Sequence, residues 1–94
     1  MAIIDKVRLA VGHSTKEFDD DLLDTIEAAR SDMIASGVPD HVANDEDNPL
    51  VTQAIKKYAQ SEEAWEEPDI AQAQMDRYTR IVSKLAMSHR RKKT

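Results

Sequence analysis

A chain of 94 residues with a net charge of −5 can form one domain with one thin core, but it is too short for a deep enclosed active site. The absence of cysteine excludes disulfides and thiolate metal sites. No apolar run approaches the ~20 residues of a membrane-spanning helix, and Asp5 interrupts the first apolar run too early for a signal peptide.

The first predicted helix is short and covers residues 3–11. Ile4, Val7 and Val11 recur at the spacing of one helical face. Gly12 is expected to end the helix, because glycine tolerates the left-handed conformation that follows many helices. Leu9 lies off this face, so it is either simply exposed or faces a neighbouring subunit.

The second predicted helix covers about residues 15–36. Ser14 and Glu17 have the spacing of a capping box, which predicts the start of the helix. The core face is predicted to contain Phe18, Leu22, Ile26, Ala29 and Met33, widened by Leu23 and Ile34. The acidic triplet 19–21 lies in the first turns, where the helix dipole favours anions, and we prefer this interpretation to metal binding.

Residues 37–48 are predicted to form a polar, acidic loop. A loop of this length is long for a helix–helix connection, which indicates either mobility or contact with a partner. Asp45, Glu46 and Asp47 lack the alternating ligands, central glycine and terminal glutamate of an EF-hand.

The third predicted helix begins with Asn48 as the cap and Pro49 at the first helical position. Its apolar side contains Val51, Ala54, Ile55, Tyr58 and, a heptad later, Trp65. A lone tryptophan near a helix end either plugs the core or anchors an interface, and the sequence leaves both alternatives open.

The fourth predicted helix covers about residues 68–88. Its apolar stripe contains Ala71, Met75, Tyr78, Ile81, Val82 and Leu85. We therefore expect an all-α bundle of four helices, one short and three longer, in a single domain of residues 1–88. Residues 89–94 are expected to form a basic, disordered tail.

No grouping of side chains predicts catalysis. The three histidines lie in a linker, the acidic loop and the tail, without zinc-type spacing, and no glycine-rich loop could cradle a phosphate. The carboxylates cluster at helix starts and in loops, where nothing raises their pKa towards catalytic values. We expect no enzyme activity, no cofactor and no catalytic or metal residues.

The order of these signals resembles the head–tail connector family of tailed bacteriophages, also called head-completion, adaptor or DNA-packaging proteins. The resemblance runs from about Ile3 to Leu85. Its pieces are Ile4–Leu9 in the first helix, Phe18–Asp20, Ile26–Ala29 and Ala35–Val38 in the second, and Asn48–Val51 through Tyr58 in the third. The chain departs from the family in two places. Residues 11–14 stand where family members usually have a tight hydrophobic-to-Thr turn, and the C-terminal end is basic.

The resemblance implies a structural virion protein, assembled in the host cytoplasm and located at the head–tail junction. Its copies would form a ring under the portal protein, extend the DNA channel and present a platform for the next tail-joining protein. DNA would pass through without sequence-specific binding, and no membrane would be contacted. The alternative is a small acidic helical regulator that binds a host or phage protein.

Two sets of residues are predicted to make the intermolecular contacts. One thin core cannot bury every large side chain, and those expected to remain exposed give the predicted subunit interface: Leu9, Leu50, Tyr58 and Trp65. The basic end gives a segment for docking to the portal or to phosphates: Arg90, Arg91, Lys92 and Lys93.

Overall fold

The computed structural model describes residues 2–91, which contain five helices and no strand. The helices are α1 (Ile3–Ala10), α2 (Asp19–Ala35), α3 (Asp40–Ala43), α4 (Pro49–Glu63) and α5 (Pro68–Arg91). The predicted small all-α bundle is therefore confirmed, with one additional short helix. The bundle is flat and elongated, measuring 45 × 29 × 18 Å along its principal axes.

An antiparallel hairpin of α4 and α5 forms the largest helix–helix contact. The two helices are joined by only four residues, 64–67, which brings α5 back along α4. The rings of Tyr58 and Tyr78 meet edge to face across this contact, with centroids 5.2 Å apart. Both α1 and α2 pack against α4, so α4 is the centre of the bundle.

The core is mostly aliphatic. Its buried residues are Ile3, Val7, Leu22, Ile26, Ala29, Met33, Val38, Val42, Ala43, Val51, Ala54, Ile55, Ala59, Tyr78, Val82, Leu85 and Ala86. The predicted stripes of the third and fourth helices supply six of these residues: Val51, Ala54, Ile55, Tyr78, Val82 and Leu85. By contrast, Leu23 and Ile34 were wrongly assigned to the core face, since both are exposed.

Both glycines end helices in the same way. After α1, the N–H of His13 donates to the Arg8 carbonyl and the N–H of Gly12 to the Leu9 carbonyl. Gly12 has φ +78°, so this is the Schellman arrangement in which a left-handed residue follows the helix. Gly37, with φ +106°, occupies the equivalent position after α2. The predicted stop at Gly12 is confirmed.

The predicted start of the second helix was wrong. Residues 14–18 precede α2, and no side chain caps the helix. The N–H of Glu17 instead lies 3.5 Å from Thr15 Oγ1, and Phe18 is half exposed beside His13 rather than in the core. An ion pair between α1 and Asp19 holds the first residue of α2 and competes with the earlier start.

The prediction of an acidic loop over residues 37–48 missed the apolar residues that hold this segment on the core. Residues 37–48 include α3, and Val38, Val42 and Ala43 are buried in the core. The buried Arg30 side chain donates from Nη1 to the Ala43 carbonyl oxygen at 2.8 Å. The segment is therefore an ordered part of the bundle, and the expectation of a polar loop throughout was wrong.

The last helix is longer than predicted, because α5 ends at Arg91 rather than near residue 88. The tyrosine near its middle ties it to α2: the Tyr78 hydroxyl donates to Asp32 Oδ2 at 2.6 Å and lies 3.3 Å from the Ala29 carbonyl oxygen. The part of the expected disordered tail that covers residues 92–94 lies outside the described residues.

Candidate interaction surfaces

The histidines do not converge on a chemical site. Within residues 2–91, no three histidine, aspartate or glutamate side chains lie close enough together to hold a metal ion. His13 Nε2 lies 3.3 Å from Glu63 Oε1, which links the α1–α2 connection to the end of α4. The rings of His41 and His89 meet edge to face, with centroids 6.4 Å apart. None of the described helices is both long enough and apolar enough to cross a bilayer.

Three of the four predicted interface residues have large exposed apolar side chains. Trp65 is 75% exposed, Leu9 65% and Leu50 46%. Tyr58 differs, because it is partly buried and packs against the Tyr78 ring inside the bundle. Burial and the nearby Glu62 and Asp32 carboxylates raise the pKa of Tyr58.

Trp65 lies in the turn between α4 and α5. The helix α4 ends at Glu63, and the N–H of Glu67 donates to the Ala64 carbonyl at 2.9 Å to close the turn. Because α4 ends before Trp65, the indole does not lie on the apolar side of α4, where a longer helix would have placed it. The core-plug alternative is therefore wrong, and the indole projects into solvent among exposed Glu62, Glu63, Glu66 and Glu67.

An open groove lies between α1 and the first two turns of α4. Its volume is about 530 Å³, and its lining is Lys6, Leu9, Ala10, Asp47, Pro49, Thr52, Gln53 and Lys56. We call this the α1–α4 groove. Its apolar part comes from Leu9, Ala10 and Pro49. The sequence could not place the groove, because its two walls are 40 residues apart in the chain.

Hydrogen bonds hold both walls of the α1–α4 groove. Gln60 Nε2 donates to the Ala10 carbonyl at 3.0 Å and fixes the end of α1 on α4. Asn48 Oδ1 accepts from the backbone N–H groups of Leu50 and Val51, at 3.0 and 3.3 Å, so the predicted cap of α4 is confirmed. The groove is therefore bordered by two anchored helix ends rather than by a loose loop.

An ion-pair fork that the sequence analysis missed holds α1 against α2. Arg8 Nε donates to Asp19 Oδ1 at 2.9 Å and Nη2 to Oδ2 at 2.6 Å, while Nη1 donates to Asp5 Oδ1 at 2.8 Å. Hydrogen bonds from the guanidinium hold the pKa of Asp19 below its usual range, and the two carboxylates raise the pKa of Arg8. This fork sets the position of the wall that carries Leu9.

The basic end divides between the described and undescribed parts of the chain. Arg90 and Arg91 belong to the last turn of α5, where cations suit the negative end of the helix dipole. Lys92 and Lys93 lie outside the described residues.

One comparison with known proteins is informative. The family model described as "Phage connector protein" matches residues 3–91, which is nearly the whole chain and spans all five helices. Neither a curated protein nor a solved structure gives a significant match.

Proposed function

This chain belongs to the phage connector protein family, and on that basis we propose that it is a structural protein of the virion that joins the phage head to the tail. The family match over residues 3–91 is the observation that carries the proposal. The exposed apolar side chains described above support it, because a protein that acts by assembly needs surfaces that become buried in the assembly.

We further propose that copies of the chain form a ring under the portal protein and extend the DNA channel. A ring requires two different surfaces on each subunit that bind each other, so that each copy contacts the next in the same way. The bundle has exposed apolar residues at separate places, including Leu9 and Trp65, which supports this proposal.

The charge of the bundle suits a channel through which DNA passes. Of the thirteen basic residues, four lie in Arg90–Lys93, so residues 1–89 contain nine basic residues and eighteen acidic ones. A surface of this charge repels phosphates and would not retain passing DNA. The proposed partners are thus the portal protein and the next tail-joining protein, at a head–tail junction assembled in the host cytoplasm.

The test is to mix the purified chain with the portal protein of the same phage and examine the mixture by negative-stain electron microscopy and sedimentation velocity. We expect rings of the chain attached to one end of the portal. A chain that stays monomeric and does not bind the portal would refute the proposal and favour the small-regulator alternative.

We also propose that the basic end docks on an acidic portal surface or on phosphates near the channel. The positive charges of Arg90, Arg91, Lys92 and Lys93 follow directly from the sequence. A variant with glutamine at these four positions keeps the chain length but removes the four positive charges. It should lose the part of its portal affinity that added salt weakens. Binding that is unchanged in this variant would remove the proposed role of the basic end. If added duplex DNA competes with the binding, the basic end docks on phosphates; if it does not, the basic end docks on a protein surface.

A further inference from the structure

We propose that Trp65 of one copy binds in the α1–α4 groove of the next copy, and that this contact links subunits head to tail. The inference rests on the proposed ring and identifies the contact that would build it. The occupant of the groove is thus a second copy of this chain, through the turn between α4 and α5.

The Trp65 turn has the composition of an interface anchor. The indole is 75% exposed, which is the largest exposed fraction among the large apolar side chains of residues 2–91. Tryptophan is enriched among the residues that dominate binding energy, typically as a central side chain that enters a pocket on the partner. The turn is short and closed by backbone hydrogen bonds, so the backbone that carries the indole is fixed before binding.

The α1–α4 groove offers a matching apolar surface. Leu9 is 65% exposed there, and Ala10 and Pro49 extend the apolar lining. The volume of about 530 Å³ lies within the ~300–1,000 Å³ of pockets that enclose drug-sized molecules, so an indole ring fits. Burial of Trp65 against Leu9 would remove the two most exposed large apolar side chains of the described residues from water.

The charges around the two surfaces are complementary. Four exposed glutamates, Glu62, Glu63, Glu66 and Glu67, are neighbours of Trp65 in the chain, and of these Glu63 also lies 3.3 Å from His13. Lys6 and Lys56 line the groove, and among the described residues neither forms an ion pair; Asp47 is the acidic residue on the same lining. An apolar centre with opposite charges around it is the arrangement that gives specific protein contacts, since the charged rim guides encounter and fixes orientation.

The two surfaces lie at different places on the chain, as a head-to-tail contact requires. The groove uses the first two turns of α4, from Pro49 to Lys56, whereas Trp65 follows the last turn. At 1.5 Å per helical residue, the two surfaces are separated by about 20 Å along α4, so Trp65 cannot fill the groove of its own chain. When one copy offers its groove to one neighbour and its indole to another, the contact repeats, and it forms a ring if the rotation between copies closes.

Chemical cross-linking tests this contact directly, because the chain has no cysteine of its own. A variant with Gln53→Cys in the groove and Glu66→Cys beside the indole retains both Trp65 and Leu9. Treated with a short bismaleimide, with and without the portal protein, it should give a ladder of covalent oligomers. The matched control carries Glu27→Cys, on the exposed side of α2, together with Glu66→Cys, and should give no ladder.

Adding Trp65→Ala to the cross-linking variant should weaken the association roughly 30-fold or more, as truncation of a central aromatic anchor does. An equal ladder from the Glu27→Cys control, or one that persists unchanged with Trp65→Ala, would overturn the inference. Rings on the portal without cross-links would overturn this contact and leave the proposed function intact. The absence of both rings and cross-links would overturn both.

A mixing experiment tests the head-to-tail geometry. Trp65→Ala removes the indole, and Leu9→Glu places a carboxylate in the groove, so each variant alone should stay monomeric in sedimentation. Mixed together, they retain one intact indole and one intact groove per pair and should form dimers that grow no further. Leu23→Glu, at an exposed leucine of α2, is the control and should assemble like the unmodified chain. Mixed variants that stay monomeric, or that form full rings, would contradict the proposed contact.

Discussion

The hydroxyl of Tyr78 provides a quantitative test of how α2 and α5 are held together. The Tyr78 side chain is buried, and its hydroxyl donates to Asp32 Oδ2 at 2.6 Å. A hydrogen bond to a charged group contributes about 1.5–3 kcal/mol. Since Asp32 is itself exposed and can be solvated again, we expect Tyr78→Phe to lie at the lower end and to lower the free energy of unfolding by about 1.5 kcal/mol.

Urea denaturation followed by circular dichroism measures this change. With an m value of roughly 1.5 kcal/mol per M, the midpoint should fall by about 1 M. Tyr58→Phe is the matched control, because within the described residues the Tyr58 hydroxyl forms no hydrogen bond although its ring packs on Tyr78. We expect the control to change the free energy of unfolding by less than about 0.5 kcal/mol.

A double-mutant cycle assigns the effect to the Asp32 contact. In an Asp32→Ala background, Tyr78→Phe should cost much less, since the charged acceptor has gone. Equal costs in both backgrounds, or a cost no larger than that of Tyr58→Phe, would refute the assignment. Burial, followed by the hydrogen bond to Asp32, raises the pKa of Tyr78 above its ordinary value of about 10. The unfolded chain therefore loses this proton first, and stability should decline above about pH 10, less so in Tyr78→Phe.

Further predictions concern the fork, the buried arginine and the exposed indole. Arg8 holds the pKa of Asp19 low, so Asp19→Asn should destabilise the chain at pH 7, and in acid titrations of stability its difference from the unmodified chain should shrink progressively as the pH falls below about 4, through the lowered pKa of the folded state. Arg30→Met removes the donor to the Ala43 carbonyl and should cost about 1.5–3 kcal/mol in urea denaturation, whereas a neutral result would show that water replaces it. Trp65→Ala should change the free energy of unfolding by less than about 0.5 kcal/mol, and a larger loss would indicate a core role.

The parts of the fold that the sequence predicted are those set by local patterns. Asn48 and Pro49 marked the start of α4, and Gly12 marked the end of α1, because caps and left-handed stops act over a few residues. The apolar stripe of α5 was also predictable, since 3.6-residue periodicity is a property of one helix.

The errors occurred where residues distant in the chain compete with local signals. The capping-box spacing of Ser14 and Glu17 was overridden by the fork from Arg8 to Asp19, which links two helices. The loop prediction failed because charged residues outnumber the few apolar residues of the segment, and because the buried Arg30, which donates to the Ala43 carbonyl oxygen, lies in a different helix.

The candidate surfaces were predicted only as individual residues. The exposure of Leu9, Leu50 and Trp65 agrees with a role at an interface, but their interface role stays a prediction. The groove depends on how α1 docks on α4 through Gln60, and no spacing in the sequence reports that packing.

The position of Trp65 has a spectroscopic consequence. It is the one tryptophan in the chain, and its indole lies outside the core in the native bundle. Its fluorescence should thus change little when the isolated chain unfolds, because the ring is in water in both states. A shift of the emission to shorter wavelength would instead signal that another molecule has covered the ring, which makes this chain its own optical reporter of docking.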